Sequence, residues 1–438
     1  MPMSQFGTTA ELDELQLTWK EEGHGWPDVT IALMCQSAAM VNDGVKEMIK
    51  AKALAHGFAL CRISSPVVDE KHVQGLQDWV QSDMQADMAW MAEEVRMQRR
   101  MQPESMLQDV RSVITVAMTY SPPAYQLDEA NEATEQGVIS AYAHGDDYHD
   151  VMKKRLKALA ADLDVLLGKH DQRVFVDTAP VLEHALAESS GLGWQGKHSL
   201  TIHRELGSWF LLGEIFTTAE IDADEAANNH CGTCSACLDV CPTQAIVAPY
   251  VVDARLCISY LTIEFDGFIP HPLRSLMGNH IYGCDDCQMV CPWNQHAAKV
   301  VLRLQDLNTW CDPLTPRGEN HLPNLASLLR LDDDGFRQLF RKSPIKRTKR
   351  AGLLRNVCIA MGNSGNDLFV DDLLPALTDK EALVRGHAAW ALGRLSCAEN
   401  HQCISAALQH QLVDEVDVNA REEIILTIEY LRSKYDDA

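Results

Sequence analysis

Apolar residues recur along this chain in distinct rhythms. Val45, Met48, Ile49, Ala53 and Leu54 fall at helical spacing, with Asp43 as a candidate N-cap. Compact apolar runs at Phe58–Ile63, Ser112–Thr119, Val174–Val176, Ser199–His203 and Ser208–Thr217 predict strands. Between the second and third runs, Val151, Leu156, Leu159, Leu163, Leu166 and Leu167 share one helical face. A further helix runs through Leu186, and the glycines of Gly191–Lys197 close it. This alternation predicts a mixed α/β sheet from about 43 to 220. Residues 1–42 lack such order: Gly23, Gly25 and Trp26-Pro27 interrupt any periodicity, and the segment reads as an extension without assigned function.

From about 323 onward only the helical rhythm remains, and it repeats. Arg350, Arg385 and Arg421 recur at spacings of 35 and 36. Leu353, Ala388 and Ile424 keep the same register, as do Val357, Leu392 and Ile428, and Ala360, Leu395 and Leu431. A period in this range with helix-pair composition predicts a short α-solenoid of HEAT-like type. Such repeats present an extended surface to a large partner.

Composition changes this picture in two places. At 438 residues the chain has room for two or three domains. No apolar run approaches the ~20 residues needed to span a bilayer. The polar start, with Glu11, Asp13 and Glu14, shows no basic-then-apolar leader pattern. A cytoplasmic protein without membrane attachment, and a monomer, is expected. The formal net charge of −24 works against a nucleic-acid partner. It also makes one local exception informative. Arg341, Lys342, Lys346, Arg347, Lys349, Arg350 and Arg355 occur with no acidic residue among them. Charge runs are usually solvated faces. Here the run opens a repeat scaffold in an acidic chain, and a phosphate-backbone partner is the stronger reading, with Lys346, Arg347, Lys349 and Arg350 as its contacts.

The densest chemistry lies in the cysteines. Eight of the fourteen fall between Cys231 and Cys291: Cys231-x-x-Cys234-x-x-Cys237-x-x-x-Cys241-Pro242, then Cys257, then Cys284-x-x-Cys287-x-x-x-Cys291-Pro292. The run C-x2-C-x2-C-x3-C-P is that of bacterial two-cluster ferredoxins, in which the fourth cysteine ligates the other cluster. Soft thiolates suit an iron–sulfur cube, and two-residue gaps let one loop wrap three corners. The crossing rule groups Cys231, Cys234, Cys237 and Cys291 on one cluster. It groups Cys241, Cys257, Cys284 and Cys287 on the other, with Cys257 lying 27 positions before Cys284. A pair of structural zinc sites is the alternative, disfavoured by the third close cysteine and the trailing prolines. Disulfides fit less well in a cytosolic-type chain. Cys35, Cys61, Cys311, Cys358, Cys397 and Cys403 read as buried or idle thiols. Gly191-x-Gly193-x-x-Gly196 has dinucleotide-loop spacing, but it follows a helix and precedes a strand, which is the reverse order, so a Rossmann site is excluded.

Together these pieces resemble epoxyqueuosine reductases, from about residue 43 to the carboxyl end. The matching segments are Ile139–His149 (ISAYAHGDDYH), Val176–Glu183 (VDTAPVLE), Gly191–Lys197 (GLGWQGK), Gly207–Ile215 (GSWFLLGEI), the eight cysteines and Ser343–Gly362. The resemblance implies reduction of the epoxide of epoxyqueuosine, at the wobble position of tRNA, to queuosine. It implies two 4Fe–4S clusters and a base-off cobalamin, as in the related corrinoid reductive dehalogenases, fed by an external flavodoxin- or ferredoxin-type donor. No D-x-H-x-x-G motif supplies a lower ligand, since Asp147-x-His149 continues as Asp150-Val151-Met152. On the residues alone, Asp177 at a strand end reads as a helix N-cap. The resemblance makes it the proton donor. It also places Arg100, Tyr142, His149, Lys197, Ser199 and Trp209 near the corrin, with Asp285 and Asp286 facing it from the cluster side. At Arg100 the family's usual Asp-Pro reads Gln102-Pro103.

The expected architecture is therefore multidomain α+β: an extension at 1–42, a mixed α/β cobalamin-binding domain at 43–222, a ferredoxin-like double 4Fe–4S module at 223–322, and all-α HEAT-like repeats that bind tRNA at 323–438. The alternatives are a reductive dehalogenase-like enzyme acting on a small molecule, which needs no basic patch or solenoid, and a ferredoxin-type carrier, which needs no α/β module.

Overall fold

A computed structural model describes residues 44–295, 297 and 314–435. The extension at 1–42, Asp43, Cys35 and Cys311 lie outside the described residues. The chain divides into an amino-terminal unit, Met1–Met48, of which only helical residues 44–48 are described, and the unit Ile49–Ala438, which holds the sheet, the cysteine segment and the carboxyl-terminal helices.

Four strands form the central sheet: β1 (Leu60–Ser64), β2 (Ser112–Thr119), β3 (Gln172–Val176) and β4 (Phe210–Thr217), in the order β1-β2-β4-β3. Every neighbouring pair is antiparallel. β2 is buried at all its residues and β4 at all but Leu211, which is why both read as continuous apolar runs without alternation. One residue breaks that rule. Glu214 sits mid-strand in β4, opposite Thr115 of β2 and Phe175 of β3, and is completely buried.

Successive residues on a strand face opposite sides of the sheet. On the Gly213 side lies helix α1 (Tyr148–Leu167), whose Met152 and Leu156 approach so closely that a Cβ on Gly213 would meet Met152 Sδ at 2.7 Å. The Glu214 side is covered by helix α2 (Glu183–Ser189), whose Leu186 packs with Val113, Phe175 and Phe216. The run Ser199–His203 forms only the short strand Thr201–Ile202, paired with Trp194–Gln195. The preceding glycines serve close chain packing: a Cβ on Gly193 would meet the carbonyl oxygen of Ile202 at 2.4 Å.

The cysteine segment folds as two short helices, Ala236–Val240 and Asp286–Met289, packed on each other. Strand His280–Tyr282 pairs in parallel with Val138–Ile139 and ties this segment to the α/β part. Beyond it the described chain is helical, with α3 (Lys349–Asn363), α4 (Ala382–Arg394) and α5 (Val418–Tyr435) packing in succession. The in-register residues Leu353, Ala388 and Ile424 are all fully buried. This core is continuous with the cysteine segment, since Ile139, Ile281 and Tyr282 belong to it. Arg355, 1% exposed, donates to the carbonyls of Leu261, Phe265 and Gly267, while Asn356 donates to those of Thr262 and Ile281. No described helix is long and apolar enough to cross a membrane.

Candidate active site

The structure gathers the eight cysteines into two sets. Cys231, Cys234, Cys237 and Cys291 neighbour one another, and so do Cys241, Cys257, Cys284 and Cys287. These are the sets that the crossing rule groups. The first reaches the surface at the exposed Cys234. The second is interior, and all four of its thiols line one cavity of about 310 Å³. Burial pushes the Cys284 and Cys287 thiols well above their ordinary range, and the neighbouring thiols push the same way. None of the described cysteines is in a disulfide. Two tight quartets of free thiols form the donor set that a soft metal–sulfur cluster satisfies.

Opposite the thiols, the cavity is walled by the α/β part: Phe210, Leu211 and Leu212 of β4, with Ser140, Tyr142, Tyr148, Asp177, Glu183, His198 and Ser199. Asp285 and Asp286 also line it, but their carboxylates face the protein. Asp285 accepts from Ser140 Oγ at 2.5 Å and from the Ala141 amide at 2.7 Å. Asp286 lies 2.9 Å from His280 Nε2, and this pair closes over Cys284. The two aspartates therefore clamp the 139–143 loop and the second cysteine set in place, as outer-shell partners do around metal ligands. His198 offers the reverse case. Its Nδ1 accepts from the Leu200 amide at 3.2 Å, so the neutral ring carries its proton on Nε2, which is buried without a partner. Burial holds this ring's pKa down at about 4.

A second cavity of about 590 Å³ adjoins the first. It is lined by Met88, Asp147, His149, Tyr260, Glu264, Tyr282, Lys346 and Arg347, and it shares Tyr142, Tyr148, Asp177 and Ser259 with the thiol-lined cavity. Asp177 thus stands on the common wall. It does not cap a helix: α2 begins six residues later with Leu182 at its N-cap. Its Oδ2 accepts the Tyr148 hydroxyl proton, and His149 Nε2 lies 2.9 Å from Oδ1, off-line for a full hydrogen bond. Burial keeps Tyr148 protonated, with Asp177 adding to the effect. His149 Nδ1 is 2.7 Å from Asp147 Oδ1, and Lys346 Nζ is 3.4 Å from Asp147 Oδ2.

Burial alone would lower the His149 pKa, but the hydrogen bond to Asp147, the close contact with Asp177 and the charges of both outweigh it and raise it to about 9. The sign for stability is set by this direction: the contribution of the imidazolium is complete below the ordinary value of 6.5 and is lost as pH rises through about 9. NMR of the His149 ring should find it charged at neutral pH. Titration at its ordinary value would refute the pairing.

The remaining expected residues lie elsewhere. Arg100 is buried and points at Met91, contacting its sulfur at 3.0 Å. Trp209 packs edge-on against Tyr120 at 6.0 Å. Neither is among the residues lining the thiol-bearing cavity. Lys197 faces the first cysteine set, donating to the carbonyls of Gly232 and Cys234 at 2.8 Å each. Of the basic run, Lys346, Arg347 and Lys349 are at least partly exposed, whereas Arg350 is not available to a phosphate. Its guanidinium is paired with Asp379 and donates to the Leu331 carbonyl at 2.6 Å. Arg385 repeats this pairing with Glu415. The recurring arginines therefore tie helices to the links between successive helix pairs, which corrects the assignment of Arg350 as an RNA contact.

A family model described as "4Fe-4S double cluster binding domain" matches residues 230–294, and one described as "Epoxyqueuosine reductase QueG, DUF1730" matches residues 100–178. The epoxyqueuosine reductase of Escherichia coli (strain K12) is 39% identical over 348 residues, covering 80% of this chain and 89% of its own. The chain belongs to the epoxyqueuosine reductase family. The epoxyqueuosine reductase of Alicycliphilus denitrificans is 42% identical over 334 residues, covering 73% of this chain and 90% of its own. A crystal structure of epoxyqueuosine reductase with a tRNA-Tyr epoxyqueuosine-modified tRNA stem loop matches with a TM-score of 0.79 at 27% identity, over 89% of this chain and 100% of that one. The Bacillus subtilis epoxyqueuosine reductase matches equally well, with a TM-score of 0.79 at 26% identity. As a member of this family the protein is an oxidoreductase, with a 4Fe–4S double-cluster domain matched at its cysteine segment. Sequence reasoning did not single out Tyr148, Glu183, His198, Glu214 or Ser259. Tyr148 lies inside the motif ISAYAHGDDYH and Glu183 inside VDTAPVLE, and a lone carboxylate in the apolar run FLLGEIF was signal enough for Glu214.

Proposed function

We propose that this enzyme reduces the epoxide of epoxyqueuosine in tRNA to queuosine, using two 4Fe–4S clusters and a base-off cobalamin. The observation that carries this reading is the position of Asp177 on the wall between the thiol-lined cavity and the cavity opening toward Lys346 and Arg347. Cys231, Cys234, Cys237 and Cys291 would hold one cluster, and Cys241, Cys257, Cys284 and Cys287 the other. The corrinoid fits the cavity between the second set and β4: the lining is largely apolar, and the unpartnered Nε2 proton of His198 suits an amide carbonyl of its periphery. Tyr142 and Ser199 line the same space. When bound, these groups supply low-potential electrons to the epoxide carbon.

The chain's own residues do the rest. Asp177 protonates the oxygen released from the ring, a step that a positioned acid accelerates. Tyr148 and His149 orient its carboxyl, and Asp147 holds His149 in turn. Residues 257–284 serve as an active-site loop, since Ser259, Tyr260, Ile263 and Glu264 line the outer cavity. Electrons enter from a flavodoxin- or ferredoxin-type donor near the exposed Cys234. The helices from 323 onward act as a HEAT-like RNA-binding domain, and the α/β part (43–222) and the cluster module (223–322) make up the rest of a monomeric, cytoplasmic enzyme.

The deciding test incubates the reconstituted protein with cobalamin, a reductant and tRNA from a strain blocked at epoxyqueuosine, and weighs the nucleosides. Loss of one oxygen from the modified base supports the reading. An unchanged nucleoside on cofactor-loaded protein overturns it.

The basic run gives a paired prediction. Charge reversal at Lys346, Arg347 and Lys349 should weaken tRNA binding and flatten its salt dependence by about one unit of slope per lost phosphate contact. Arg350→Ala should instead cost about 2–3 kcal/mol of stability, because it leaves Asp379 without its partner. Its effect on the salt slope of tRNA binding should be near zero. Gel shifts at several salt concentrations, with melting curves, separate the two classes.

A further inference from the structure

Removing an epoxide oxygen consumes two electrons and two protons. Opening the ring breaks the first C–O bond and leaves an alkoxide, which takes one proton to become a hydroxyl. Forming the carbon–carbon double bond breaks the second C–O bond, and the hydroxyl leaves as water with the second proton. The two electrons come one at a time from the flavodoxin- or ferredoxin-type protein donor. Asp177 holds one proton at most, and its side chain, 36% exposed, stands where the two cavities meet, so bound substrate entering the outer cavity covers its open side.

Directly behind Asp177 are two further carboxyls. Glu183, at the start of α2, lines the same cavity as Asp177. Glu214 stands on β4 beneath it, 0% exposed, with neither carboxyl oxygen hydrogen-bonded. It faces Thr115, whose hydroxyl is also buried and unpartnered. Among the described residues neither glutamate has an ion-pair partner. The cations on this face of the sheet lie away from them: Arg62 is across Thr115 on β1, and Arg173 sits over the Phe175 ring and donates to the Met106 carbonyl at 2.6 Å. His184, next to Glu183, is engaged with Thr201 at 2.7 Å, and burial keeps it neutral. Tyr148 and His149 engage Asp177, and the charge of His149 works against the rise at Glu183 without overcoming it. A lone carboxylate in such a place costs several kcal/mol, and two together cannot both ionise.

We propose that Glu183 and Glu214 form a proton-holding carboxyl pair that recharges Asp177 within one catalytic cycle, so that the second proton reaches the leaving oxygen from the protein side while substrate occupies the outer cavity. Glu183 passes its proton to Asp177 once Asp177 has protonated the alkoxide, and Glu214 reloads Glu183. The electrostatics agree. Burial, then Asp177, raises Glu214 to about 8, and burial with Glu214 and Asp177 raises Glu183 well above the carboxylate range. The pair titrates as a unit and retains a proton at neutral pH.

This rests on Asp177 as the donor, and the test separates the two ideas. The primary measurement is the infrared carbonyl stretch of a protonated carboxylic acid at neutral pH, recorded on the full chain. Wild type should show it, and Glu214→Gln should lose or shift it. The same substitution should leave the melting temperature unchanged or higher, because a buried amide costs less than a buried carboxyl that can ionise. Cofactor content should not change. Steady-state turnover should fall about tenfold or more, with its alkaline limit moved to lower pH. Glu183→Gln should slow turnover likewise and serves if Glu214→Gln does not fold. Absence of the band in wild type overturns the proposal, and so does wild-type turnover in both variants. Turnover by Asp177→Asn would overturn the donor assignment instead, while the infrared band would still report whether the pair holds a proton.

Discussion

Asp177→Asn should lower turnover by about 10²–10⁴-fold, the range over which a positioned general acid acts. The substitution keeps the shape of the side chain and removes its exchangeable acid proton. Tyr148 can still donate to the retained carbonyl oxygen, so the wall between the two cavities should persist. Cobalamin uptake, cluster content and tRNA affinity should therefore stay near wild type while product formation collapses. A rate close to wild type would remove Asp177 from the chemistry. A protein that loses cofactor as well as activity would mean that the aspartate is structural. Its place at a turn ahead of α2, with no capping bond to that helix, argues against the structural outcome.

Cys241→Ala should remove the cluster beside the cavity and spare the other. In sequence, Cys241 continues the run that begins at Cys231, so an uncrossed arrangement would assign it there. In the fold it lines the cavity with Cys257, Cys284 and Cys287. Iron and sulfide should fall to about half, as one of two 4Fe–4S clusters is lost. Turnover should drop by more than the 10–100-fold typical of losing an outer-shell partner. Cys291→Ala should lose the other cluster, although its sequence neighbours are Cys284 and Cys287. Electron paramagnetic resonance of the reduced variants would assign the surviving signal. Loss of the other set in either variant would break the crossed assignment.

The legible parts of this molecule are those where local chemistry dictates spacing. The cysteine runs announce their ligand loops, and the buried strands β2 and β4 show as apolar runs because both sheet faces are covered. The helical rhythm of the carboxyl-terminal part is equally plain. Less legible is anything that depends on which segments meet. Arg350 reads as a free cation in its basic run, yet Asp379, 29 residues away, engages it. The recurrence of arginine at 350, 385 and 421 was the available sign that the position is architectural. Asp285 and Asp286 look poised toward a cofactor because they flank cysteines, but their oxygens are turned to Ser140, Ala141 and His280. Asp177 stands out only through the family resemblance, since on its residues alone it reads as a helix N-cap, whereas Tyr148 and His149 join it only because α1 starts beside the end of β3. Glu214 is marked by its place in the run FLLGEIF, yet a charge inside a buried strand is so costly that pattern reading passes over it.

The bonds of Arg355 and Asn356 to the carbonyls of residues 261–281 bear on how such a protein can be assembled over evolutionary time. A domain joined by a linker can be traded between genes as a cassette. Here the carboxyl-terminal helices and the segment 261–281 are two sides of one interior. A transplanted tail would arrive with buried donors facing the wrong acceptors, and the recipient loop would lose what shapes it. The pair can diverge only by co-adapting residue by residue, which binds the shape of the helical tail to the geometry of the cysteine segment.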